Sequence, residues 1–202
     1  DSKFEAMNGT QNYLGKAWDD RIGCAVIIEA MKRLAHGQHN NQVFYAATTQ
    51  EEIGLRGAHT AAETIKPDIG IALEAGVTGD TPANHPEESQ VKLGAGPGLF
   101  LYDASELPNR KFATFVQHTA RAASIPLQYD LVAGYGDDSA EIQKWGSGVP
   151  VVNIVVPTRY THAHSGIINR GDFDRTVNLI VALVQKLDAE TVARIRDFTP
   201  EQ

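Results

Sequence analysis

Carboxylate and imidazole side chains gather in four short stretches of the chain, each next to an apolar segment. These stretches are residues 16–21 (KAWDDR), 48–54 (TTQEEIG), Glu74 with the nearby Asp80, and 159–165 (RYTHAHS). Carboxylates and imidazole together form a ligand set that suits zinc, cobalt or manganese. A single catalytic zinc needs about three protein ligands, whereas carboxylates repeated on several segments can bridge two metal ions about 3.5–4 Å apart. The residue types therefore predict a centre of two divalent ions.

The two acidic pairs each have an ordinary structural interpretation as well. Asp19 or Asp20 can cap a helix by accepting a backbone N–H bond from its first turn. Glu51 and Glu52 can simply be the solvated end of a strand. Adjacent side chains on a strand point to opposite faces, however, so two neighbouring carboxylates can serve two targets. One of them can bind a cation while the other accepts a proton.

The remaining polar residues are weaker indicators on their own. Glu74 ends a nearly continuous apolar run (DIGIALE), where a buried carboxylate needs a cation, an Arg or a Lys as partner. Neutral imidazole is the commonest metal ligand in proteins, yet a single loop histidine is more often just a polar residue. His162 and His164 lie two residues apart after the apolar run 149–156, which favours a ligand role only modestly.

Hydrophobic periodicity predicts the elements that position these residues. Helices are predicted at 19–35, 58–65, 109–123, 138–145 and 173–187, the last extended to about 196. Buried strands are predicted at 42–49, 68–74, 127–132 and 149–156, with two short strands within 91–104. Strands that alternate with helices indicate an α/β fold with a mostly parallel central sheet and helices on both faces. Ligands of such sheets collect where strands end, and the four polar stretches lie at element boundaries.

The overall composition excludes several classes of protein. Of the 202 residues, 42% are hydrophobic and 21% charged, as in a globular domain with a sizeable core. The formal charge of −7 argues against nucleic acid or an anionic membrane surface as the main partner. The one cysteine, Cys24, excludes a disulfide framework and fits a cytoplasmic location. No run approaches the roughly 18 apolar residues that span a bilayer.

Six segments resemble one enzyme family, and they occur in the family's order nearly end to end. They are KAWDDRIG, TTQEEIGLRGA, IALEAGVTGDTP, GPGLFLYDAS, GYGDDSAEI with GVPV, and PTRYTHAHSGIINRGDFD. Each is loose by itself, but the ordered set resembles the dinuclear metal aminopeptidases of the deblocking or glutamyl aminopeptidase group. Members often form tetrahedral particles, and many are named endoglucanase homologues. The resemblance implies a zinc-peptidase-like catalytic domain, peptide substrates with a free N-terminus, and a homo-oligomer in the full-length form.

The resemblance also implies a role for each polar stretch. Asp19 would bridge two divalent ions, of which zinc is expected first and cobalt or manganese as alternatives. Glu51 would be the general base that activates water. The further metal ligands would be Glu52, Glu74 and His162. The residues expected at the substrate end of the pocket are Asp138, Arg159, Tyr160 and His164.

Two departures from the family pattern stand out. Glu74 is one methylene longer than the commoner Asp, which would alter metal geometry or recognition of the substrate's amino group. The family also has a His-x-Asp segment, followed by an inserted β-rich dimerisation domain, ahead of the Asp-Asp-Arg motif, and every histidine here follows Asp19. We therefore expect residues 1–202 to be a single catalytic segment with 1–16 as a polar lead-in. It would lack the N-terminal strands, one ligand and the insertion domain.

Three functions remain open at this point. The first is a metalloaminopeptidase that removes N-terminal residues with a two-metal site and a Glu base, incomplete in this chain alone. The second is a catalytically silent homologue that acts as an assembly or regulatory domain, which the missing His favours. The third is a glycosidase using Glu51 and Glu52. Glycosidase carboxylates stand about 5–9.5 Å apart across the sugar, and the chain has only Trp18 and Trp145 for stacking sugars.

Overall fold

The computed structural model describes residues 3–37, 39–82, 85 and 87–199. Its helices are α1 (Trp18–Leu34), α2 (Arg56–Ile65), α3 (Arg110–Ala122), α4 (Ser139–Ile142), α5 (Arg170–Lys186) and α6 (Ala189–Arg196). Its strands are β1 (Glu5–Ala6), β2 (Asn12–Gly15), β3 (Gly70–Val77), β4 (Gly98–Tyr102), β5 (Gln128–Leu131), β6 (Val151–Arg159) and β7 (Gly166–Asn169). Within these ranges, no helix is both long enough and apolar enough to traverse a bilayer.

The strands form one mixed sheet in which β6 is central. β3 runs parallel to β6 along its whole length and forms one edge of the sheet. β4 and β7 pair antiparallel with the other side of β6. β5 continues the sheet beyond β4 in parallel, and β2 and β1 continue it beyond β7 as antiparallel strands. The predicted α/β class is confirmed, although the described sheet is mixed rather than mostly parallel.

Helices cover both faces of the sheet, as the sequence predicts. Three alternate residues of β6 pack with α1, α3 and α5 in the main core; they are Val152, Ile154 and Val156. The intervening side chains of β6 point to the opposite face. On that face Gly70 of β3 lies against Ile142 of α4, and α2 packs beside α4. The carboxyl ends of β3 and β6 therefore lie between two helical layers, where the polar stretches meet.

Several predicted boundaries differ in the structure. Residues 42–49 form no strand with the described residues, and Phe44 is 53% exposed. An apolar run favours extended backbone, but a strand also needs a hydrogen-bonded neighbour, which this segment does not have here. The predicted final helix is two helices, because Leu187 is extended and Asp188 caps α6 by accepting a bond from Thr191 N at 2.8 Å. β2 and β7 were missed because four-residue strands carry little periodic signal.

Gly23 allows α1 to lie directly against β3. A Cβ at this position would stand 2.2 Å from Oδ2 of Asp20 and 2.5 Å from the carbonyl oxygen of Leu73. Overpacking of this kind costs roughly 1–3 kcal/mol, so Gly23→Ala is expected to lower the Tm by at least about 2 °C. Thermal unfolding checks this, with Gly37→Ala as control because nothing lies closer than 3.5 Å to its added Cβ. Equal Tm values for the two variants would contradict the close approach.

Candidate metal and catalytic site

A carboxylate, a second carboxylate and an imidazole meet at the open rim of the site. Nε2 of His162 lies 2.8 Å from Oδ2 of Asp19 and 3.3 Å from Oε1 of Glu52. One ligand atom from each of the three residues lies within 4.8 Å of the others. His162 and Glu52 are exposed, whereas the Asp19 side chain is only 14% exposed. These three residues could hold one metal ion at the edge of the cleft.

A second group of possible ligands lies deeper and shares a member with the first. It consists of Asp19, Asp20 and Glu74, whose nearest ligand atoms again lie within 4.8 Å of one another. Glu74 is 6% exposed and projects from β3, in register with Val155 of β6. Because Asp19 belongs to both groups, its carboxylate lies where a bridging ligand between two ions would have to lie.

The adjacent aspartates of α1 have different partners. The backbone of Asp19 and Asp20 is non-helical, and regular helix follows them. Oδ1 of Asp20 accepts a bond from Gly23 N at 2.9 Å, which is the geometry of a helix N-cap. Asp19 instead faces His162. The capping interpretation therefore applies to Asp20, and Asp20 also joins the deeper group. The sequence interpretation did not include Asp20 among the ligands, although its adjacency to Asp19 was the available signal.

A compact turn orients Glu51 and Glu52 toward different neighbours. The carbonyl oxygen of Glu51 accepts bonds from the amides of Gly54 and Leu55 at 3.0 and 2.9 Å. Gly57 closes the turn, because its amide donates to the Thr49 carbonyl at 2.9 Å and leaves no room for a Cβ. Glu52 then lies at the rim beside His162, while Glu51 lies further in. The two carboxylates diverge as predicted, but through a turn rather than through strand alternation.

Burial and the neighbouring carboxylates raise the pKa values of the acidic groups of the site. Burial, then nearby Asp138 and Glu52, raise the pKa of Glu51 to about 7. Burial raises the pKa of Asp20 to about 7, and burial with Asp20 raises that of Glu74 well above its usual range. A divalent cation would remove both the desolvation cost and the repulsion. The donor set of carboxylates and one imidazole thus fits divalent metal ions.

Left-handed backbone is concentrated around the same residues. Ala17, Gln50, Tyr160 and His162 all have φ between 51° and 61°. Ala17 and Gln50 lie one or two residues before Asp19 and Glu51, and Tyr160 lies two residues before His162. Non-glycine residues seldom adopt this conformation, and such strain is typical of functional sites.

The residues predicted to line the substrate end divide into two sets. Tyr160 and His164 line a cleft of ≈ 290 Å³ together with Asp19, Glu52 and His162. Asp138 occupies the N-cap position of α4 next to Glu51, and its side chain accepts a hydrogen bond from the Thr48 hydroxyl rather than capping the helix. Arg159 instead pairs with both oxygens of Asp80, at 3.1 and 2.7 Å. Arg159 and Asp80 thus form an ion pair with each other, and this pair connects the end of β6 to the loop after β3.

One buried residue near the site was not predicted. Tyr135 donates a hydrogen bond from its hydroxyl to the carbonyl oxygen of Ala75 at 3.1 Å. Burial, followed by the charge of Glu74, raises the pKa of this tyrosine well above its ordinary value. Tyr135 lies in the segment GYGDDSAEI, which carries part of the family resemblance, but its loop position between glycines gave no periodic signal that selects it.

Comparison with known proteins places the chain in a family. The family model described as M42 glutamyl aminopeptidase matches residues 1–179. FrvX of Escherichia coli strain K12 is 37% identical over 190 residues, which are 94% of this chain and 53% of FrvX. The chain thus spans about half the length of the curated relative.

Solved structures agree with this assignment. A TET aminopeptidase from the marine sediment archaeon Thaumarchaeota archaeon SCGC AB-539-E09 superposes with a TM-score of 0.92 at 41% identity, covering 96% of this chain and 55% of that one. The TET1 peptidase of Pyrococcus horikoshii, which can assemble into a tetrahedron or a large octahedral shell, superposes with a TM-score of 0.82 at 30% identity, covering 92% and 53%. The chain belongs to the M42 glutamyl aminopeptidase family.

Proposed function

We propose that the whole protein is a metal-dependent aminopeptidase and that this chain carries most of its catalytic site. The observation that carries the proposal is the position of Asp19, whose carboxylate belongs to two groups of possible metal ligands. Glu51 stands beside them with a pKa near neutrality. Membership of an aminopeptidase family supports the same reaction.

The ligand atoms divide between two metal positions. Asp19, Glu52 and His162 would hold one ion, and Asp19 with Glu74 and Asp20 would hold the other. Zinc suits carboxylate and imidazole ligands, as do cobalt and manganese. When bound, the ions supply Lewis acidity toward the scissile carbonyl and toward a water molecule.

Glu51 would carry the protons in the reaction. It accepts a proton from water as the water oxygen attacks the carbonyl carbon of the first peptide bond. It then gives that proton to the amide nitrogen as the C–N bond breaks, which releases the N-terminal amino acid and a shortened peptide with a free amine. The base ends in its starting state. A pKa near the working pH suits a group that must both accept and donate.

The acidic floor of the site would select the substrate's amino terminus. Because Asp20 and Glu74 are assigned to a metal position, the free α-amine of the substrate would be held by that metal and by a nearby carboxylate. Tyr160 and His164 would line the adjoining cleft, Asp138 would stand beside Glu51, and Arg159 would fix the backbone at the edge of the cleft through Asp80. Assembly into a homo-oligomer and a cytoplasmic location also belong to the proposal, the first by analogy with the TET relative.

Blocking the substrate's amino group tests the proposed reaction. The whole protein, loaded with zinc, cobalt or manganese, is assayed on aminoacyl-chromophores and on their N-acetylated counterparts. We expect turnover of the free-amine substrates and at least about a 100-fold lower kcat/KM for the blocked ones, because a charge-paired amine contributes several kcal/mol of discrimination. Chelation should abolish the activity and added metal should restore it. Equal cleavage of both substrates would contradict the proposal, and so would reducing-sugar release from glucans without peptidase activity.

A further inference from the structure

A second group of acidic side chains lies outside the proposed catalytic site. We refer to Asp103, Glu106 and Asp137 as the buried acidic triad; they are 0%, 2% and 0% exposed. One carboxylate oxygen from each lies within 4.8 Å of the others. Asp103 follows β4, Glu106 precedes α3 and Asp137 precedes α4. The triad shares no residue with the two metal groups around Asp19.

Backbone and side-chain donors hold one side of the triad and leave the other side unbonded. Oδ1 of Asp103 accepts bonds from Ser105 N, Glu106 N and the Ser105 hydroxyl at 2.5, 2.6 and 2.9 Å. Its Oδ2 accepts none from the part of the chain that the structure describes. Both oxygens of Glu106 likewise make no hydrogen bond among these residues, although the nearby Ser139 hydroxyl lowers the pKa of Glu106 in part. Three buried carboxylate oxygens are therefore left without a hydrogen bond among the described residues, with the Ser139 hydroxyl close to them.

A neutral side chain that contacts the triad also has an acceptor without a hydrogen bond. Asn153, in the middle of β6, is fully buried, and its Nδ2 donates to Oδ2 of Asp137 at 2.6 Å. Its Oδ1 accepts no hydrogen bond within the described ranges. An amide oxygen left unsatisfied in the interior costs about 1–3 kcal/mol. Because Asn153 carries no charge, its free oxygen is evidence for a bound ligand that is independent of the acidic cluster.

No basic side chain neutralises the triad. Among the described residues, the ion pairs of Arg, Lys and His side chains involve other carboxylates, and none involves Asp103, Glu106 or Asp137. Burial, then the charge of Asp137, raises the pKa of Glu106 to about 8, and burial with the adjacent Asp103 carboxyl raises that of Asp137 to about 7. Near neutral pH these carboxyls therefore bind either protons or a cation.

We propose that the buried acidic triad and Asn153 form a structural site for a divalent cation of the calcium class. All the available donors are oxygens: Oδ2 of Asp103, both carboxylate oxygens of Glu106, a carboxylate oxygen of Asp137 and Oδ1 of Asn153. Calcium binds six to eight such oxygens at about 2.3–2.6 Å in adaptable geometry. Magnesium keeps several waters in a strict octahedron, and structural zinc sites use His and Cys ligands, so both fit this buried, all-oxygen structural site less well.

The proposed ion would link three parts of the fold. It would tie the loop after β4 to the centre of β6 and to the residue just before Asp138. Ala104 and Ser105, between two of the ligands, are exposed, so the site lies one residue layer below the surface and an ion can enter from that side. The ion would stabilise the loop that presents Asp138 without taking part in the reaction.

Calcium addition to the metal-free whole protein tests the proposal. After dialysis against a chelator, thermal unfolding is measured with calcium, magnesium or zinc alone, and bound calcium is counted by mass spectrometry. We expect about one calcium per chain and a Tm increase of several degrees, because binding at 100 times Kd adds about 2.7 kcal/mol. The increase should be larger at pH 8 than at pH 6, since protons compete for the same oxygens.

Matched variants separate this site from the catalytic one. Glu106→Gln should lose the bound calcium and the Tm increase, whereas Asp19→Asn and the exposed-surface variant Glu190→Gln should keep both. Asn153→Asp provides a second variant if Glu106→Gln does not fold: it should be destabilised when metal-free and rescued by calcium. Absence of a calcium-dependent Tm change in the wild type would overturn the proposal and assign shared protons to the triad. That result would leave the aminopeptidase proposal intact, since the triad contributes no ligand to it.

Discussion

Glu51→Gln is expected to lower kcat by about a thousandfold while leaving the bound metal in place. General acid–base groups contribute roughly 10²–10⁴-fold to a rate, and the amide of Gln can neither accept nor return the proton. The side chain keeps its size, and Glu51 is in neither of the two metal-ligand groups, so its replacement removes no ligand. Steady-state kinetics on a free-amine substrate, with metal content measured on the same sample, checks both parts.

Its neighbour provides the sharpest control. Glu52 contacts His162 at the rim, so Glu52→Gln should lower metal occupancy, and added metal should restore part of its activity. Added metal should not restore Glu51→Gln. Glu190, exposed in the first turn of α6, serves as the surface control, and Glu190→Gln should behave like the wild type. If Glu51→Gln keeps more than about a tenth of the wild-type kcat, Glu51 is not the base.

The sequence was most informative where periodicity is strong and the element is long. α1 buries residues at four-residue intervals (Ile22, Val26, Ala30 and Leu34), and its predicted range 19–35 agrees with Trp18–Leu34. β6 was predicted from VPVVNIVV and is buried at every residue except the last. The direction and pairing of strands were less predictable. β7 and β2 join the sheet through four-residue ladders, which depend on long-range contacts that leave no local pattern.

The site was predictable as a set of residue types but not as a set of partners. Burial and proximity were expected of Glu74, and the structure brings it to Asp19. Asp20 caps the helix while Asp19 faces His162 because of the backbone angles at the start of α1. Residue types alone do not predict those angles. The resemblance groups Arg159 with the substrate residues, and the structure adds that its guanidinium pairs with Asp80, 79 residues away in sequence. Pairings over such distances are set by the fold.

Asp19→Asn is expected to remove activity almost completely, through loss of metal. Asp19 is the residue common to both ligand groups, so its substitution weakens both at once. The Asn side chain retains one oxygen but loses the negative charge and the second oxygen that a bridging carboxylate uses. It also removes the charge that faces Nε2 of His162 at 2.8 Å. Bound catalytic metal should fall from about two ions per chain to less than one, and kcat/KM by at least about a thousandfold.

Excess metal then distinguishes a weakened site from a lost reaction step. Because Asp19→Asn acts on affinity, its residual activity should rise as the metal concentration increases, whereas that of Glu51→Gln should stay constant. Asp174→Asn is the matched control, since Asp174 pairs with Arg170 on the surface of α5 and its loss should change neither metal content nor rate. Asp19→Asn with two tightly bound catalytic ions would show that Asp19 does not bridge them. The convergence of its carboxylate with Glu52, His162, Asp20 and Glu74 would then need another explanation, such as recognition of the substrate's amine.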